Sequence, residues 1–296
     1  MIKVRRMGHA TFDTTDLDKQ IDYYTQVTGL TLIAREKDRA FLAARAGTLA
    51  IELRKASDKR CAQLSFQVSP EEDFADMAKR LLAEGIKSHI KSDSAPGTPK
   101  VILFTDPKGT AIELFTEFKP LGLGQDNGGI GPYKLGHLAF HVPDPKAIAE
   151  FYIKVLGFKV SDWIADFFVF LRCNADHHVV NFIQGPDVKM HHIAFELRDF
   201  SHLQNACDIF GRKNIPILWG PVRLGPGHNV ATFNKNADDW MVEYFCELDL
   251  MKDEALGYFD PRPWHKDFPQ YPKVWDSHGA AFIWGLPPSP TFLGRK

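Results

Sequence analysis

The sequence repeats itself. Gly8-His9-Ala10-Thr11-Phe12 returns as Gly136-His137-Leu138-Ala139-Phe140, 128 residues later, and Tyr24 and Gly29 return as Tyr152 and Gly157 at the same offset. Further on, AQLSFQV (62–68) matches HHIAFEL (191–197), and DPKGTAIELF (106–115) matches NADDWMVEYF (236–245) at an offset of 130. A duplication on this scale imposes one order of elements on both halves, so the chain is expected to fold as two like units. These units span 1–120 and 135–248, joined by a glycine-rich linker at 121–134. A tail at 249–296, rich in Pro and Trp, shows little periodicity.

Within the second unit, Ile148, Phe151, Tyr152 and Val155 follow helical spacing, and Gly157 stands where a left-handed cap closes a helix. The stretch FKVSDWIADFFVFLRC (158–173) reads as strands and a turn. A second helix-like segment follows the 62–68 run in one unit and the 191–197 run in the other. Helices are few and strands many, which predicts an α+β fold rather than a doubly wound parallel sheet.

Composition excludes several classes. Lys plus Arg number 36 and Asp plus Glu 37, with no basic stripe, which argues against a nucleic-acid partner. No apolar run approaches the roughly 20 residues that span a bilayer. The first residues, MIKVRRMGHATF, lack the apolar centre of a signal peptide. The four cysteines form no CxxC pair, which speaks against a thiolate zinc site and suits a cytoplasmic protein.

The repeat also singles out chemistry. His137, His192 and Glu243 occupy short, apolar, strand-like runs. Strand alternation turns every second side chain to one face, and a buried imidazole or carboxylate needs compensation there. Two imidazoles and one carboxylate make the facial triad of non-haem Fe(II) sites, and Mn(II) accepts the same ligands. The matching residues of the first unit are His9, Gln63 and Glu113. With glutamine in place of the central histidine, that unit is read as metal-free scaffold.

GHLAF, CNADHHVVNF, KMHHIAFEL, GPGHN and MVEYF together resemble the type I extradiol ring-cleavage dioxygenases of the vicinal oxygen chelate superfamily, of the catechol 2,3-dioxygenase and 2,3-dihydroxybiphenyl 1,2-dioxygenase kind. The resemblance spans residues 1 to about 247. It implies tandem domains, each a pair of βαβββ modules, with Fe(II) in the second. His137, His192 and Glu243 are then the metal ligands, and a catechol-type aromatic diol and O2 the reactants. It also implies that His178 is the acid–base catalyst, while His177 faces the surface and His191 points away in a structural role. His228 and Asn229 are expected on a substrate-contact loop. Where the family commonly carries a tyrosine ten residues before the glutamate, this chain has Phe233, again expected at the substrate.

Phe182, Phe233 and Trp240 are candidates for an apolar pocket wall or for plain core. The tail, with Trp264, Trp275, Trp284 and Phe292, is expected to cover the pocket or meet another subunit of a homo-oligomer; His265 and His278 receive no ligand role. Two other readings keep the fold: a metal-dependent lyase, epimerase or thiol transferase, and a ligand-sequestering binding protein.

Overall fold

The computed structural model describes residues 1–122, 128–261, 266–277 and 281–293. The first module runs β1 (Val4–Thr14), α1 (Leu17–Asp22), β2 (Thr31–Arg35), β3 (Arg39–Ala43) and β4 (Leu49–Lys55). The second runs β5 (Arg60–Val68), α2 (Phe74–Ala83), β6 (His89–Ala95), β7 (Thr98–Thr105) and β8 (Ala111–Phe115). In each module the first and last strands pair in parallel, a connection that needs a helical crossover, and the rest is antiparallel. β1 and β5 join the modules into one eight-stranded sheet, β2-β3-β4-β1-β5-β8-β7-β6.

The second half repeats this with β9 (Lys134–Val142), α3 (Pro145–Leu156), β10 (Lys159–Ile164), β11 (Phe168–Arg172) and β12 (Val180–Gln184). Then come β13 (Lys189–Glu196), α4 (Phe200–Arg212), β14 (Trp219–Leu224), β15 (Val230–Lys235) and β16 (Met241–Cys246). The tail adds β17 (Lys273–Trp275) beside β10 and β18 (Phe282–Trp284) beside β14, one at each edge of a ten-stranded sheet. These strands are three residues long, too short to leave a period in the sequence. The duplicated α+β fold is thus the one the repeat predicts, and its paired βαβββ modules are those the resemblance implies. No helix among the described residues is long and apolar enough to cross a membrane.

The matched helices differ in length. Asp144 caps α3 by accepting from the Ala147 amide at 3.0 Å, and Gly157 closes it at φ 71°. α1 is capped likewise by Asp16 but passes after six residues into a π-helical turn, Tyr23–Val27. There the Thr28 amide reaches the Tyr23 carbonyl, and Thr25 Oγ1 donates back to the Ile21 carbonyl.

One apolar core runs through both halves. Phe182 and Trp240 belong to it: Phe182 packs on Tyr152 and Trp240 on Phe12. Matched polar contacts tie the halves together. The Tyr152 hydroxyl donates to Asp106 at 2.9 Å, and Asn236 Nδ2 donates to the Tyr24 hydroxyl at 3.1 Å. Tyr24 and Tyr152 are repeat partners, as are Asn236 and Asp106, so each helix reaches the turn before the last strand of the other half. Removing the buried donor in Tyr152→Phe is expected to lower stability by about 1–3 kcal/mol, read as a lower urea midpoint; an unchanged midpoint would contradict this account of the seam.

Candidate metal centre

Three neighbouring strands build the cluster. On β9, Leu138, Phe140 and Val142 face the core, which leaves His137 and Ala139 on the opposite face. Register places Ala194 of β13 between His137 of β9 and Glu243 of β16, and His192 lies two residues before Ala194 on the same face. The methyl of Ala194 leaves room for the three longer side chains to converge. The glycine of the GH motif has its own packing reason. A Cβ on Gly136 would lie 2.5 Å from the Phe245 ring, and one on Gly8 would lie 2.5 Å from the Phe115 ring. Phe245 in turn packs on His137, with ring centroids 5.0 Å apart.

His137 Nε2 lies 3.1 Å from Glu243 Oε2 and 3.1 Å from His192 Nε2, and His192 Nε2 is 3.2 Å from the same carboxylate oxygen. The ligand atoms all fall within 4.8 Å of one another, and all three residues are buried. Asn229 Nδ2 donates to the other oxygen, Glu243 Oε1, at 2.8 Å, leaving Oε2 toward the imidazoles. Burial pushes His192 down to about 3, only partly offset by the Glu243 carboxylate. For Glu243 burial pushes upward, but His137, His192 and the Asn229 hydrogen bond outweigh it and hold the carboxyl below its usual range. A neutral imidazole and an ionised carboxylate are the protonation states that bind a cation, and two nitrogens and an oxygen directed at one point fit a divalent transition metal.

The first half shows what the same strands do with other residues. Glu113 accepts from Ser65 Oγ and Ser94 Oγ, both at 2.6 Å, and His9 Nε2 stays 3.8 Å away. Ser65 stands where the second half has Ala194. Its hydroxyl occupies the carboxylate that a metal would need, while Gln63 replaces the second imidazole.

The second-half cluster opens into a cavity of about 300 Å³. Its walls come from both ends of the sheet: Ile164 and Phe170 on one side, Trp219 and Phe233 on the other, with Phe292 and Leu293 from the tail. The sheet therefore curls so that its ends face each other, and the tail completes the wall, as expected for a cover. Of the three aromatic candidates, Phe233 lines the cavity, stacked on Trp219 at 5.4 Å and 6.0 Å from the His192 ring, while Phe182 and Trp240 are core. Apart from the triad, the polar groups that the described residues bring to the lining are His178, His191, Asn181 and the Trp219 indole.

His178 reaches the cavity, its ring centroid 4.3 Å from that of His137. Burial, then the neighbouring His137, His177 and His192, push its pKa well below the usual histidine range. His177 is not at the surface. It is 1% exposed, because the chain after β16 folds back over it: its amide donates to the Asp249 carbonyl, and Phe259 covers its ring. His177 Nε2 lies 3.1 Å from Asp162 Oδ2, and its Nδ1 lies 2.9 Å from His178 Nδ1. Asp162, His177 and His178 thus form one chain of polar contacts that ends at the cavity, where His178 stands. Asp162 also accepts from the Trp275 indole at 2.7 Å. Nothing local in the sequence around 162 marks this role; it depends on the tail strand.

Three other expectations change. His191 lines the cavity instead of pointing away, because β13 bulges between Met190 and His192 and so brings two successive side chains to one face. His191 Nδ1 lies 2.7 Å from His192 Nδ1. His228 does not line the cavity. Its two ring nitrogens face Asp249, at 2.6 Å, and Asp267, at 3.1 Å, so it pins the tail to the loop instead. Asn229 touches the Glu243 carboxylate and not the cavity lining. Trp264, His265 and His278 lie outside the described residues.

This architecture, two sheets of paired modules with one such cluster among the described residues, agrees with comparison to known proteins. The family model of the Glyoxalase/Bleomycin resistance protein/Dioxygenase superfamily matches residues 6–114 and 134–244, and the chain belongs to that superfamily. Among its relatives, 1,2-dihydroxynaphthalene dioxygenase of Sphingobium xenophagum is 26% identical over 267 residues, covering 83% of this chain and 85% of the relative. Biphenyl-2,3-diol 1,2-dioxygenase of Paraburkholderia xenovorans is 29% identical, covering 83% and 84%. The fold is shared with a Mn(II)-bound glyoxalase from Novosphingobium aromaticivorans, at TM-score 0.85, 23% identity and coverage of 99% and 94%. It is shared too with homoprotocatechuate 2,3-dioxygenase from Brevibacterium fuscum, at TM-score 0.83, 21% identity and coverage of 99% and 92%.

The lowered pKa values of His178 and His192 set a pH dependence. An unfolded histidine titrates near about 6.5, so between that value and the folded one the unfolded chain binds more protons. Stability from these groups is complete above about pH 6.5 and is lost as pH falls, with a slope of up to about 1.4 kcal/mol per pH unit for each group. Urea melts of the metal-free protein are expected to show falling stability from pH 7 to pH 5, and equal stability at both would contradict the burial assigned here.

Proposed function

We propose that the chain is an extradiol ring-cleavage dioxygenase that opens a catechol-type ring with O2 at a non-haem metal ion, Fe(II) or alternatively Mn(II). One observation carries this reading: two imidazoles and a carboxylate converge at the inner end of an apolar, aromatic-walled cavity, with a third histidine beside them whose pKa burial lowers. His137 Nε2, His192 Nε2 and Glu243 Oε2 would hold the metal on one face, leaving the cavity side for substrate and O2. When bound there, the ion supplies the Lewis acidity that lowers the hydroxyl pKa of the diol and the electronic link between ring and O2.

The chain's own residues do the rest. Asn229 fixes the carboxylate through its second oxygen. His178, whose pKa is lowered by burial and by the neighbouring histidines, receives a proton from the diol and returns it as the ring opens. Phe233 and Trp219 on one side and Phe170 on the other accept a flat ring and exclude water. The lining includes no lysine or arginine among the described residues, so the cavity suits rings with uncharged substituents over carboxylated ones. The relatives that act on dihydroxynaphthalene and biphenyl diols support a role in aromatic catabolism. The four free cysteines support a cytoplasmic setting, and the exposed Val274 and Leu286 of the tail support a homo-oligomer. The domain limits at 120, 134 and 248 belong to the same reading, with catalysis in the second unit.

The test is oxygen uptake by the anaerobically purified, Fe(II)-loaded protein. Catechols are expected to consume one O2 per ring and give a conjugated, coloured product, while resorcinol and hydroquinone give none. His178→Ala is expected to lower kcat about 100- to 10,000-fold with metal content unchanged. Uptake absent with every vicinal diol, or unaffected by His178→Ala, would overturn the assignment.

A further inference from the structure

Asn181 is out of place in its surroundings. It lies on β12 in the run Val180-Asn181-Phe182-Ile183, where Val180 and Phe182 face the core and Asn181 and Ile183 line the cavity. Asparagine is depleted in strands, and a buried amide is costly unless something bonds it. Asn181 is 1% exposed, and its Oδ1 has no hydrogen-bond partner. The position would be better filled by valine or isoleucine if packing alone decided it.

Register fixes where the amide stands. Phe170 of β11, Asn181 of β12, Ala139 of β9 and His192 of β13 form one row across four strands. Asn181 and His192 are thus two strand spacings apart, about 10 Å between backbones. The methyl of Ala139 between them leaves the intervening space to a ligand. The Trp219 indole of the same cavity already donates to the Leu286 carbonyl at 2.8 Å, and Phe233 carries no hydroxyl.

We propose that Asn181 is a specificity-determining residue whose Oδ1 accepts a hydrogen bond from a hydroxyl carried on the ring of the bound diol. The inference rests on the dioxygenase reading of the same site and names a substrate class within it: catechols with a further hydroxyl substituent on a largely apolar frame. A buried amide that gains its partner only from the right ligand discriminates against the analogue lacking that group, because the amide is then left unpaired.

The experiment compares kcat/KM for shape-matched pairs on the Fe(II)-loaded enzyme: pyrogallol against 3-methylcatechol, and 1,2,4-trihydroxybenzene against 4-methylcatechol. In at least one pair the wild type is expected to favour the hydroxyl member. The near-isosteric Asn181→Leu is expected to lose about 10- to 100-fold on that member, the size of a lost buried hydrogen bond. The methyl member should change by less than about 3-fold, with metal content unchanged. Asn181→Ser, smaller but able to bond, should retain part of the preference, and Asn181→Ala serves if the leucine variant does not fold. A leucine variant that alters both members equally, or neither, overturns the role of Asn181 while leaving the dioxygenase reading intact. A metal-loaded wild type that oxidises no diol overturns both.

Discussion

Two imidazole nitrogens and a carboxylate oxygen, all on buried residues, sit within about 3 Å of one another. Each group loses hydration there, and the nitrogens gain little from facing each other. The surrounding structure is arranged around that cost. Ala194 is small so that its neighbours can meet above it. Gly136 lets Phe245 press against His137, and Asn229 takes one carboxylate oxygen so that the other is directed inward. A cation at the point of convergence would offset the burial, which supports the proposed metal centre.

The duplication shows how few changes separate a site from a scaffold. Both halves keep the glycine, the first histidine and the glutamate. The first half has Gln63 and Ser65 where the second has His192 and Ala194. Ser65 and Ser94 each donate to one oxygen of the Glu113 carboxylate, where Glu243 has one such donor, Asn229, and two imidazoles. The first half still contributes through the seam, where Tyr23, Tyr24 and Asp106 bond residues of the second.

Much of this was legible in the sequence because the signals are local and repeated. GHLAF, HHIAF and MVEYF each carry one cluster residue in an apolar strand, and the spacing of Ile148, Tyr152 and Val155 with Gly157 marks α3. What could not be read depends on distant segments meeting. His177 looks like a loop residue until the chain beyond 248 covers it, and Asp162 gains its role only when β17 and Trp275 dock on β10. His228 sits on a loop that suggested ligand contact, but Asp249 and Asp267 of the tail claim both its nitrogens. His191 was misplaced because a β-bulge breaks the alternation that the reading assumed. Tail strands of three residues have no period to detect, yet the tail forms one wall of the cavity.

Under the proposed function one half of a duplicated chain binds one catalytic metal ion, through His137, His192 and Glu243. Metal stoichiometry after anaerobic loading with Fe(II), compared between the wild type and His192→Ala, tests it most directly. The account predicts one ion per chain in the wild type and close to none in the variant, with both proteins folded by circular dichroism. Two ions per chain, or one ion retained by His192→Ala, would contradict it.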